Sequence, residues 1–150
     1  MPAASVPADV AAQLRTRAFA RVIGPYVATF GIVYAIRLPD LGVLVGDLFA
    51  QTFNVLMLGA LMLAAGLVII GLHRSWRGPL AVAISLFGWF VAIRGFLLIA
   101  APSTIESGVD ATMLSPTATA VARVFFAALG VFGVVLAYAG WFTGPAARTT

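Results

Sequence analysis

The chain has 150 residues, 62% of them apolar and 9% charged, where a soluble domain holds about 45–50% apolar and about 25% charged residues. With a mean hydropathy of +1.07, it carries more apolar surface than a particle of this size can hide from water, which excludes a soluble globular domain and a disordered chain. The net charge of +4 rests on nine basic residues, all Arg and without a block of five or six, so a nucleic-acid-binding surface is excluded as well. The lack of Lys beside abundant Ala and Gly points to a GC-rich bacterial genome. With no Cys, disulfides, thiol redox chemistry and Cys-ligated clusters are ruled out. A lone His73 cannot build a multi-histidine site within one chain, so neither metal nor cofactor is expected.

In chain order, residues 1–18 have no apolar stretch and carry Asp9, Arg15 and Arg17, unlike a cleavable secretory signal. Ser5, Pro7 and Asp9 have helix-cap chemistry. They predict either a short interfacial helix over 6–18, with its Arg residues toward anionic lipid, or a polar tail. Four apolar stretches follow, at 19–38, 48–72, 79–101 and 118–142. A spanning helix needs about 20 mostly apolar residues. The last three qualify outright, while the first is interrupted by Arg21 and Gly24-Pro25 and is read as a kinked span. Runs such as LMLGALMLAAGLVIIGL do not alternate as barrel strands do, so the spans are helices. Residues 39–47, 73–78 and 102–117 are read as connections, the third being the longest.

The charges assign sides. Arg15, Arg17, Arg21, Arg74, Arg77 and Arg148 fall on one side, whereas Arg37, Asp40, Asp47, Glu106 and Asp110 fall on the other. By the positive-inside rule both termini are cytoplasmic. The expected architecture is all-α: one integral membrane domain, a four-helix antiparallel bundle of sequential neighbours in a bacterial inner membrane, with a cytoplasmic segment at 1–18.

Polar groups inside the spans are the informative ones. Arg94 lies about 6 Å, and Asn54 and Arg123 about 9–10 Å, outward of their helix midpoints. Asp47, Gln51 and Asn54, spaced i, i+4, i+7, would share one face of the second helix. With Arg37 at the end of the first span, the sequence predicts an outer polar cluster of Arg37, Asp47, Gln51, Asn54, Arg94 and Arg123. An intramembrane Arg costs about 2.5–3.5 kcal/mol on insertion scales, so something must offset it. Interhelical pairs with the nearby acids are the simpler reading, and a basic vestibule for an anion is the functional one. On the other side, the His73, Arg74, Trp76 and Arg77 turn reads as interfacial anchors, with a pH-sensitive His73 the sharper alternative. Trp89 is mid-span, and Ser85 one turn earlier is a candidate partner for its N–H. Small-xxx-small pairs at Ala60/Ala64, Ala81/Ser85, Gly88/Ala92 and Gly133/Ala137 suit close helix contacts. Neither a paired carboxylate within a span nor a Ser-His-Asp grouping, phosphate loop or metal spacing is found.

Gly66, His73 with Trp76, Gly88-Trp89, Arg94-Gly95 and Pro102 together resemble a family of small uncharacterised bacterial inner-membrane proteins over about residues 59–102. That family commonly has Asn after the His, Thr before Gly-Trp and Lys at the position of Arg94; this chain has Arg74 after the His, Ser85 nearest the Thr and Arg94, so the match is partial. The resemblance implies membrane location and a helical hairpin. The sequence therefore predicts a non-enzymatic structural or accessory subunit whose partners are the bilayer, anionic lipid, copies of itself or a larger membrane complex. The alternative is a small oligomeric channel or transporter with an outward-facing basic vestibule.

Overall fold

Apolar helix formers dominate between the few breaking positions, and the computed structural model, which describes residues 7–143, is helical almost throughout. Its elements are α1 (Ala8–Phe49), α2 (Thr52–Leu72), α3 (Pro79–Ala100), α4 (Pro102–Leu114) and α5 (Pro116–Phe142). There is no strand among the described residues. α1, α2, α3 and α5 are each long and apolar enough to cross a membrane. Their surfaces are inside-out relative to a soluble protein: Val22 (71% exposed), Phe53 (69%) and Val124 (70%) all face outward. In water such exposure would cost about 25 cal/mol per Å². In hydrocarbon it costs nothing.

Helix boundaries differ from the sequence expectation at both ends of α1, at the start of α2, which is Thr52 and not residue 48, and over 102–117. α1 does not stop at residue 38 but runs through Pro39 to Phe49, and it also runs through Pro25. Each Pro removes one backbone hydrogen bond, yet Leu38 (1% exposed) and Leu41 (8%) are buried on either side of Pro39, and that packing holds the segment helical. At 42 residues, α1 is about 63 Å long, twice the hydrocarbon thickness of about 30 Å, so it must project beyond the apolar layer. The segment expected as a separate interfacial helix is simply the beginning of α1, although Ser5 and Val6 lie outside the described residues, as does Arg148.

The connection expected at 102–117 is instead largely α4. Its Ser and Thr hydroxyls do not compete with the helix here but bond back along it, Ser107 to the Thr104 carbonyl (3.2 Å) and Thr112 to that of Gly108 (2.8 Å). Ile105, Val109 and Met113 form a half-buried stripe at i, i+4, i+8, the amphipathic pattern of a surface helix. Ser115 then caps α5, accepting from the Ala118 N–H at 3.3 Å, with Pro116 as the first residue of the helix.

The helices pack chiefly as two pairs, α1 with α5 and α2 with α3. Glycine decides both. Gly24 lies against Ala137, Gly31 against Gly130, Gly133 against Ala28 and Gly140 against Arg21, so numbers fall along α5 as they rise along α1. The same opposed order holds for Gly59 against Leu98, Gly66 against Ala92 and Gly95 against Leu63. A Cβ at Gly31, Gly66, Gly95 or Gly133 would overlap the partner's backbone. Each span has two buried glycines seven residues apart: Gly24 and Gly31, Gly59 and Gly66, Gly88 and Gly95, Gly133 and Gly140. Seven residues bring a helix back to nearly the same face. Of the small-residue pairs expected from sequence, those on α3 and α5 lie largely in these seams, whereas Ala60 and Ala64 are exposed.

Aromatic contacts connect the pairs. Tyr26, Phe30 and Tyr34 stack along α1, and Phe126 of α5 meets Phe30 and Tyr34. Tyr26 also meets Phe87 of α3 edge-on at 6.5 Å, and Phe19 meets His73 at 5.5 Å. The last contact brings the start of α1 beside the α2–α3 turn, so Arg15, Arg17, Arg21, Arg74 and Arg77 share one end of the molecule. The acids Asp47, Glu106 and Asp110 sit toward the other.

Candidate functional site

The outer polar residues do not converge. Arg37 pairs locally with Asp40, Nε to Oδ2 at 3.7 Å, with both side chains more than half exposed, a geometry that contributes little. Asp47 is in the last turn of α1, not on α2. Gln51 is the extended cap residue ahead of α2, so the proposed shared face of Asp47, Gln51 and Asn54 is interrupted by the break at 50–51. What survives of it is one bond, Asn54 Nδ2 donating to Gln51 Oε1 at 3.2 Å. Arg94 and Arg123 are exposed and, among the described residues, meet neither an acid nor a hydrogen-bond acceptor. The acids that sequence reasoning offered as their partners, Asp47, Glu106 and Asp110, are likewise exposed and unpaired among the described residues.

The α2–α3 turn is built far more tightly. His73 ends α2 and is 3% exposed, more buried than an interfacial anchor would be. Its Nε2 lies 3.3 Å from the Ala81 carbonyl, a contact that places the hydrogen on Nε2 because a carbonyl only accepts. Phe19 packs edge-on against the ring. Ser85, also 3% exposed, donates to the Ser75 carbonyl at 3.3 Å and so ties the turn to α3. It is not the partner of Trp89, whose N–H meets no acceptor among the described residues. Gly78, at φ 94°, supplies the left-handed residue that reverses the chain, and Pro79 starts α3. By contrast Arg74, Trp76 and Arg77 are exposed, as anchors should be.

Between the turn and the first half of α3 lies a cavity of about 230 Å³, lined by Ile70, His73, Arg74, Trp76, Ser85 and Trp89. Toward the turn its walls are His73, Arg74 and Trp76, and farther along α2 and α3 they are Ile70, Ser85 and Trp89. Sequence reasoning placed five of these residues in one turn or one helix repeat, but not the space between them. The clue was the i, i+4 spacing of Ser85 and Trp89 opposite His73.

At the end near α1, Arg21 donates from Nε to the Gly140 carbonyl at 2.9 Å and lies 5.4 Å from the centre of the Trp141 ring. Gly140 is in the last turn of α5, where carbonyls lack helical partners and cations are favoured. Sequence reading saw Arg21 only as a topology signal. Among the described residues, no group of three His, Cys, Asp or Glu could hold a metal.

Four long apolar helices around backbone-close glycine seams define a multi-pass helical membrane protein. No family model, curated protein or solved structure matches the chain, so the resemblance over residues 59–102 rests on its residue pattern alone.

Proposed function

We propose that this chain is a non-enzymatic bacterial inner-membrane protein acting as a structural or accessory subunit of a membrane assembly. The observation that carries the reading is Arg94. It lies on the outer surface of α3 beside exposed Phe90 and Ile93 (56% and 53%), with no partner among the described residues. A guanidinium facing acyl chains is costly, and a second polypeptide supplying an acceptor removes that cost. Arg123 on α5 poses the same demand. Both termini are assigned to the cytoplasm because Arg15, Arg17, Arg21, Arg74 and Arg77 share one end. Together the four spans make an antiparallel bundle assembled from the two glycine-seamed pairs.

Native mass spectrometry from mild detergent tests this. The expected result is a defined complex containing a second kind of chain, which dissociates in Arg94→Leu. A lone monomer in both wild type and variant removes the subunit reading. A homo-oligomer with nothing else bound favours the alternative, a small oligomeric channel in which Arg94 faces a watery axis between copies. That alternative requires anion flux in reconstituted vesicles, falling sharply in Arg94→Leu.

A further inference from the structure

We propose that the cavity at the α2–α3 turn is a binding site for one anionic phospholipid, taken by its phosphate head with an acyl chain running along α3. The cavity sets a cationic side chain at the turn beside aromatic and aliphatic walls, the combination such a molecule needs. Arg74 is exposed and has no partner among the described residues, and its guanidinium matches a phosphodiester. Beside it the His73 ring is fixed by the Ala81 carbonyl through Nε2, which leaves Nδ1 free of that bond. Deeper, Ile70 and Trp89 form the apolar wall. Trp89 is ten residues into α3, about 15 Å from its start, and is 49% exposed, so the inner end opens sideways toward lipid.

Size points the same way. A volume of about 230 Å³ lies below the range of about 300–1,000 Å³ usual for complete small-molecule sites, and it suits a headgroup whose chain remains in the bilayer. The site also sits at the arginine-rich end, where basic pockets between spanning helices meet anionic lipid. This inference does not depend on the assembly reading, because Arg94 does not line the cavity.

The test reads tryptophan quenching in the full chain. Trp141→Phe leaves Trp76 and Trp89, both at the cavity, as the only emitters. The protein is reconstituted in phosphatidylcholine vesicles containing either brominated phosphatidylglycerol or brominated phosphatidylcholine at equal mole fraction. The anionic lipid should quench with a preference of about fivefold, consistent with one well-placed cation, and Arg74→Gln should abolish it. Arg77→Gln, on the same turn but not lining the cavity, should keep it. Equal quenching by the two lipids overturns the proposal. So does an equal loss in Arg77→Gln, which would mean general surface attraction. Excess inorganic phosphate should leave the preference intact; if phosphate erases it, the site takes a free anion and the lipid assignment falls. Unchanged helical circular dichroism in both Arg variants excludes misfolding as the cause.

Discussion

Gly31 of α1 and Gly130 of α5 meet backbone to backbone: a Cβ added at Gly31 would overlap the Gly130 nitrogen and Cα. Between helices in lipid there is little hydrophobic driving force, so close van der Waals packing and backbone contact must hold them together. Glycine lets the axes approach. The same device recurs at Gly133 with Ala28 and at Gly66 with Ala92.

Substituting these glycines should therefore separate the pairs. Gly31→Leu or Gly133→Leu is expected to destabilise by about 1–3 kcal/mol or more, the range for overpacking. Gly71 lies inside α2 with nothing within 4 Å of an added Cβ, so Gly71→Ala should stabilise, by up to about 1 kcal/mol of helix propensity. Thermal unfolding in detergent checks both signs; equal effects at the two kinds of site would contradict the seam.

Arg21 reaches across the α1–α5 pair to the Gly140 carbonyl and the Trp141 ring. Its side chain is exposed, so the loss in Arg21→Gln should lie near the lower end of the charged hydrogen-bond range, about 1.5 kcal/mol. A double-mutant cycle with Trp141→Leu should show coupling of about 0.5–1 kcal/mol. Additive effects would mean the guanidinium and the indole act separately.

Ser115 is the side chain that caps α5. Replacing it with Ala removes the acceptor for the Ala118 N–H and should cost about 1 kcal/mol. Faster amide exchange confined to the first turn of α5 is the local signature. Unchanged exchange there would show that the cap contributes nothing.

Arg94→Leu should have opposite effects on insertion and on assembly. Insertion of the 79–100 segment should become more favourable by about 2–3 kcal/mol, since the charge is removed from the span. Assembly should be lost, because the partner's acceptor is left unmet. A translocon-insertion assay measures the first. An unchanged insertion energy would mean that Arg94 already reaches the interface by snorkelling.

Much of the architecture was legible residue by residue. The apolar windows marked the four spans because transfer from water is nearly additive over side chains. What escaped was local and cooperative. Pro39 reads as a breaker, yet buried Leu38 and Leu41 carry α1 through it. Residues 102–114 read as a loop, yet back-bonded hydroxyls and the Ile105, Val109 and Met113 stripe make α4. The outer cluster was inferred from depth and from one helix repeat, but groups at equal depth point in different directions around a helix, and the break at 50–51 interrupts the repeat of Asp47, Gln51 and Asn54. His73 was legible as a residue of note, but its burial against Phe19 depends on α1, more than fifty positions away in the chain.

Composition and the placement of a few charges thus determined by themselves the medium and the number of spans, because both follow from sums over single residues. Which faces turn inward was decided only by the tertiary structure. A helix apolar on all sides has no preferred face, so nothing along the sequence of α1 names α5 as its partner. That choice rests on glycines seven residues apart matching backbone to backbone across two helices. The same packing turns Arg94 and Arg123 outward and leaves a cavity beside His73.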